Sequence, residues 1–488
     1  VVLIGDSNGD DKGGVHINAD IATGGGSFTT GANSATYFSA PSTTTSSSTD
    51  PITRTINTDG GAVNIMNETL LQLNGGALNI STNGGNVTFA KNIASMNSYV
   101  AYMDFDYVSY YTNGGTGEMT ERAKIWDALL QQIYGKTYTD ANGNTVVFQI
   151  ADNAGNQIAY ANLTNEQRIA LSNQLAQTWE IANMAATVDN PEDDPLGQNV
   201  NDSHLVTITD KYENTAAMAG AVKNDKDVLE YFTGGMDVTD PPTTGTAGRD
   251  IAWVTGPEAG TIFYKTTGEG TGEAVNGSYT NWVQKEPYYY KTGPAAGKQQ
   301  GEYNAPNNGG GKLRQPYIAV GWTAQNGWDD VQNGYTTVHG FIRETELPNS
   351  ALSINSGAGS VTIGTAGNAD TGRIGSSEGT GIRNLDITTT GGDVTVNGSI
   401  YVHDNNTYTE PVIDTGKVTI TSAGNITTGQ IMADNDVTIT GTGTDKDVTV
   451  GGKIATTSGG VSITSGKDLL VSGVEAADRI KLISTGND

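Results

Sequence analysis

A three-residue pattern, apolar then polar then apolar, recurs along both ends of this chain and narrows the folds open to it. It appears as Val15-His16-Ile17, Val63-Asn64-Ile65, Leu78-Asn79-Ile80 and Val87-Thr88-Phe89, and again as Val361-Thr362-Ile363, Leu385-Asp386-Ile387, Val394-Thr395-Val396, Val418-Thr419-Ile420, Val437-Thr438-Ile439, Val448-Thr449-Val450 and Val461-Ser462-Ile463. Each copy has the period-2 alternation of a half-buried strand and is bounded by Gly, Asn or Asp. The steps from Val418 to Val437 and from Val437 to Val461 are of the length expected if one coil of a solenoid contributes two or three strands. Stacked coils bury a narrow column of aliphatics, so Val, Ile and Leu point inward and Thr, Asn and Asp outward. Gly75-Gly76, Gly84-Gly85, Gly391-Gly392 and Gly459-Gly460 precede strands, where tight corners call for backbone angles that bulky residues avoid. A β-sandwich shows similar alternation, but strands this short, this numerous and this poor in aromatics favour a parallel β-helix.

Aromatic residues divide the chain. All six tryptophans lie between Trp126 and Trp328, and 18 of the 21 tyrosines between Tyr99 and Tyr335. The expected organisation is therefore a repeat segment over 1–94, an aromatic-rich insert over 95–348, and a second repeat segment over 349–488. The expected fold class is mainly β, a right-handed parallel β-helix interrupted by an α+β domain.

Charge and composition exclude several functions. With 26 Lys and Arg against 53 Asp and Glu, the net charge is −27, which repels nucleic acid and anionic lipid. The absence of cysteine removes disulfides, thiolate zinc sites and cysteine nucleophiles. No run reaches the roughly 18 apolar residues that a membrane span needs, so neither nucleic acid nor membrane is an expected partner. The chain opens at Val1 without a basic-then-apolar leader, so a removed signal sequence or a longer parent chain is expected.

The runs Gly392-Asp393-Val394-Thr395-Val396-Asn397-Gly398, Ser422-Ala423-Gly424-Asn425-Ile426 and Gly459-Gly460-Val461-Ser462-Ile463 resemble the repeats of filamentous-haemagglutinin-like exoproteins. That resemblance implies a secreted protein at a bacterial cell surface, with a structural or adhesive role. Val1-Val2-Leu3-Ile4 and Ile480-Lys481-Leu482-Ile483 are repeat-like ends, and open strand edges would let neighbouring copies stack head to tail into fibres.

In the insert, Glu118 to Tyr134 sets Ile125, Leu129, Leu130 and Ile133 along one helical face, with Gly135 as the stop. Leu163 to Ala186 reads as one helix, opened by a capping box between Thr164 and Gln167. Thr178-Trp179-Glu180-Ile181-Ala182, His204-Leu205-Val206-Thr207-Ile208, Ala252-Trp253-Val254-Thr255-Gly256-Pro257, Asn281-Trp282, Pro306-Asn307-Asn308-Gly309 and Trp328-Asp329-Asp330 are similar, in that order, to blocks of the C-type-lectin-like domains. The resemblance implies a domain with adjacent termini and, in sugar-binding members, a calcium ion that holds sugar hydroxyls. Calcium takes about six to eight oxygens. Here the implied donors are Asp329, Asp330 and Glu286, with Asn307, Asn308 and Trp328 around the ligand; the Glu-Pro-Asn loop reads Ala305-Pro306-Asn307 or Glu286-Pro287-Tyr288, and Gln315-Pro316 replaces an acid pair. A calcium-dependent lectin is thus an alternative to a lectin-like fold that binds a glycan or protein without calcium. Tyr288, Tyr289, Tyr290 and Tyr303 crowd one loop, as in a contact surface built from rigid amphipathic rings; packing within the protein is the competing reading. Asp189 to Pro195 reads as a solvated acidic turn.

His16, His204, His339 and His403 are scattered, and no nucleophile triad, phosphate loop or zincin motif is present. The chain therefore reads as a non-enzyme, with a polysaccharide-active β-helix enzyme as the remote alternative.

Overall fold

A computed structural model of the 488-residue chain describes all residues except 5–13, 32–34, 40–50, 189–202, 219–220, 222–228, 285, 290–298, 312–313, 323–326, 369–370, 376–380, 406–414 and 487–488. Strands make up 42% and helices 14% of the described residues, which makes the protein mainly β. Two compact units are present: Val1–Asn97 together with Leu347–Asp488, and Ser98–Glu346.

The first unit consists of parallel sheets whose strands pair in register. All eleven triplets read from the sequence fall in strands with buried first and third residues. In one sheet Ile56 pairs with Ile80, Ile80 with Ile354, Ile354 with Ile387, Ile387 with Ile420, Ile420 with Ile439 and Ile439 with Ile463. In another, Val63, Val87, Val361, Val394, Ile426 and Val448 form a second such row. The inward residues of these rows belong to one continuous core. Full burial of each aliphatic side chain contributes about 1.5–3 kcal/mol, and parallel strands are stable only when such cover is present. From Val418 to Val437, and from Val437 to Val461, the chain passes from one strand to its neighbour in the same sheet.

This ladder runs across the excursion to the second unit. Strand Ala77–Ser81 pairs directly with Ala351–Gly357, and Val87–Phe89 with Val361–Ile363. Residues 98–346 therefore leave and rejoin between consecutive strands of the same two sheets.

The corners explain the paired glycines only in part by backbone angle. Asp59, Gly60, Asn83 and Gly84 adopt the left-handed region, as expected of Asn, Asp and Gly in turns. Stacking explains others: a Cβ on Gly85, the second of its pair, would strike the backbone of Gly61, one on Gly392 that of Gly359, and one on Gly359, a single glycine at the same corner, that of Gly85. The preceding hydroxyl residue closes the turn, with Thr58, Thr82, Ser356 and Thr389 donating to the carbonyls of Gly61, Gly85, Gly359 and Gly392. Those hydroxyls are buried, so this bond satisfies a group that would otherwise cost stability.

The second unit has a mixed sheet covered on both faces. Its first strand, Ser98–Met103, runs antiparallel to its last, Val338–Thr345, with Ser98 opposite Thr345. The entry and exit of the unit are thus neighbours. Along the strands, residues alternate between two cores: Phe232, Ala319 and Phe341 face the helices, whereas Tyr231, Ile318 and Ile342 face Trp253, Phe263, Trp282 and Trp328.

The helical face holds α1 (Phe105–Thr112), α2 (Glu121–Ile133), α3 (Asn165–Gln177) and α4 (Trp179–Ala186). The helix expected from 118 is instead capped at Thr120, whose side chain accepts from the Ala123 N–H. The Thr164–Gln167 capping box is present. The single helix expected over 163–186 is instead two, because Thr178 is extended (φ −125°, ψ 112°). The Trp179 N–H donates to Asn333 Oδ1 at 2.8 Å and its indole to the Thr233 carbonyl, so tertiary bonds replace the helical ones at the break. The sequence reading contains no counterpart of α1.

Candidate functional site

Of the residues singled out in the sequence, several lie in the core of the second unit. Trp328 is buried, with its indole donating to Asn214 Oδ1 at 2.7 Å, and is therefore core rather than ligand surface. Asn308 is fully buried at φ +49°; its Nδ2 donates to the carbonyls of Thr243 and Gly245, and its Oδ1 accepts from Gln315 N. Asn307 is buried too, with Nδ2 donating to the Asn304 carbonyl. Glu286, Tyr288, Tyr289 and Tyr303 lie on the paired strands Glu286–Tyr289 and Gln299–Tyr303, with Glu286 opposite Tyr303. Their side chains, Tyr290, and the acidic stretch 189–195 lie outside the described residues.

Asp330 belongs to an ion-pair centre. Arg249, with no exposed surface, donates Nε to Asp237 Oδ2 (3.0 Å), Nη1 to Asp330 Oδ2 (2.5 Å) and Nη2 to the Gln315 carbonyl (2.7 Å). Asp330 also accepts the backbone N–H groups of Asn307 and Asn308, both at 2.7 Å. A carboxylate so committed to a guanidinium and two amides is a poor ligand for a further cation. Asp329, next along the strand, lies on the opposite face, and the Glu286 side chain is outside the described residues.

Glu230 and Asp329 are both fully buried. Burial pushes Glu230 up to about 7, against the lowering effect of its hydrogen bond with Thr337.

Among the described residues, one group of potential ligands lies elsewhere in this unit. The closing strand carries Glu344, flanked on one edge by Tyr99 and on the other by His204, so a single row across three strands presents all three on one face. Glu346 follows two positions later on the same side. One ligand atom each from His204, Glu344 and Glu346 lies within 4.8 Å of the others. His204 Nδ1 donates to the Leu205 carbonyl (2.8 Å), and Nε2 is 3.1 Å from Glu346 Oε1. Glu344 Oε2 accepts from Thr207 N (2.9 Å) and Thr207 Oγ1 (3.2 Å), and that hydroxyl also lies 2.8 Å from Glu258 Oε2. Burial would depress the imidazole, but the hydrogen bond to Glu346 and the charge of Glu344 outweigh it and raise His204 to about 9. Burial, together with the charges of Asp210 and Glu344, pushes Glu213 well above the usual carboxylate range. Gly256 packs against the imidazole, and a Cβ there would overlap the ring.

The sequence reading did not assemble this cluster. Glu344-Thr345-Glu346 carries the period-2 signal that puts both acids on one strand face, but His204 is far from Glu344 along the chain and nothing local joins them.

No match was found among protein-family models, curated proteins or solved structures. The functional reading therefore rests on the residues of this chain.

Proposed function

We propose that residues 1–97 and 347–488 wind into a right-handed parallel β-helix that carries residues 98–346 as a C-type-lectin-like binding domain, in a secreted structural or adhesive protein of the bacterial surface. The observation that carries this reading is the in-register pairing of Leu78 with Leu352, Ile80 with Ile354 and Val87 with Val361 across the inserted unit. Parallel strands joined by successive crossovers are right-handed in nearly every known case. A repetitive scaffold that admits a folded unit between two strands, without a break in register, suits presentation of that unit better than turnover of a substrate. The adjacent first and last strands of the inserted unit support the same reading, since a domain with neighbouring termini can be inserted without strain.

Panels of glycans and extracellular-matrix proteins, probed with the full chain, test the proposal. A bound ligand is expected to protect backbone amides from hydrogen exchange within 98–346. Protection confined to the parallel sheets would contradict it.

A further inference from the structure

We propose that His204, Glu344 and Glu346 bind a divalent cation of the zinc or manganese type, through one imidazole nitrogen and two carboxylate oxygens, with the Nε2 proton of His204 released to solvent on binding. One nitrogen and two oxygens is a donor set that borderline divalent metals accept. These residues are distinct from those of the calcium site that the lectin-like resemblance implied.

The surrounding bonds hold each ligand in place. Nδ1 donates to the Leu205 carbonyl, which fixes the ring and turns Nε2 toward Glu346; metal-bound histidines are held this way through their other nitrogen. Thr207 holds Glu344 through its backbone N–H. Gly256, at φ +67°, leaves room for the imidazole where any side chain would displace it.

A separate observation points to a missing occupant. The Tyr99 hydroxyl is fully buried and has no hydrogen-bond partner among the described residues. It faces the charges of Glu213, Glu344, Glu346 and Asp210, in a row with Glu344 and His204. A buried hydroxyl left unsatisfied is destabilising, and water held at a cation site on the neighbouring carboxylates would accept its hydrogen bond. The cation would also neutralise acids gathered on one face of the sheet, and would tie strand Ser203–Leu205 to the end of the closing strand.

The test uses the full chain, stripped with a chelator and titrated calorimetrically with zinc chloride and, separately, manganese chloride. Uptake of one equivalent of at least one metal is expected, with a rise in melting temperature, as for any ligand that binds only the folded state. X-ray absorption of the loaded protein should show a nitrogen and oxygen shell that includes one imidazole. Glu346→Gln, at a partly exposed position, and His204→Gln should each weaken binding about tenfold or more while circular dichroism stays native. His403→Gln, which removes the solvent-facing pair with Asp434, should leave binding unchanged. No uptake of either metal by the wild-type chain overturns the proposal. So does wild-type affinity in both site variants, or loss of binding in His403→Gln. None of these outcomes bears on the surface-display reading.

Discussion

Arg249→Met is expected to lower the unfolding free energy of the 98–346 unit by about 3–5 kcal/mol, the cost of removing one partner from a buried ion pair. Arg249, Asp237 and Asp330 have essentially no exposed surface, so solvent screens this centre little. Methionine fills much of the volume but leaves two buried carboxylates facing each other without a cation, and leaves the Gln315 carbonyl without its donor. Urea unfolding followed by tryptophan fluorescence measures the effect, since all six tryptophans belong to this unit. Adding Asp237→Asn and Asp330→Asn to the Met variant should recover part of the loss, because the penalty comes from the unpaired charges. A change below about 1 kcal/mol in Arg249→Met would be the behaviour of an exposed pair and would contradict the account.

Ile420→Ala is the counterpart in the parallel sheets, with an expected loss of about 2–5 kcal/mol. Ile420 is fully buried and sits between Ile387 and Ile439 in its row. Those neighbours are held by their own strands and cannot close over the gap, so a cavity remains. Thr419→Ala, at the adjacent position on the outward face, should change stability by no more than about 0.5 kcal/mol. Far-UV circular dichroism in urea distinguishes the two. Equal effects at both positions would mean that the alternation does not mark inside and outside.

What was legible in the sequence is what depends on near neighbours. The strand triplets carry their own inside and outside, and each has its first and third residues buried. Thr164 and Gln167 are close in sequence and bond each other, so that helix start can be read directly. The break at Thr178 cannot, because the group that receives the Trp179 N–H is Asn333, 154 residues on. α1 has no side-chain cap bond and offers no start signal.

The same division holds at the site. Asp330 has the residue type of a cation ligand, yet its role is set by Arg249, 81 residues earlier. Trp328 and Asn308 stand out for their motif and are core. The grouping of His204 with Glu344 and Glu346 arises only when the strand at 203–205 lies beside the closing strand. The doubled glycines suggest backbone freedom, but Gly85 and Gly392 owe their places to the close approach of Gly61 and Gly359 on the neighbouring coil, and Gly76 to that of the Ile52 backbone.

The continuity of the parallel ladder across residues 98–346 can be tested by a single pair of cysteines, in a chain that has none of its own. Asn79 and Ser353 are direct partners on adjacent parallel strands and face outward, about 4.8 Å apart by strand spacing and within disulfide reach. Asn79→Cys with Ser353→Cys should cross-link under mild oxidation of the folded protein, whereas Asn79→Cys with Asp386→Cys, two strands apart, should not. Failure of the first pair to link while the protein remains folded, or equal linking by both, would contradict the continuous ladder.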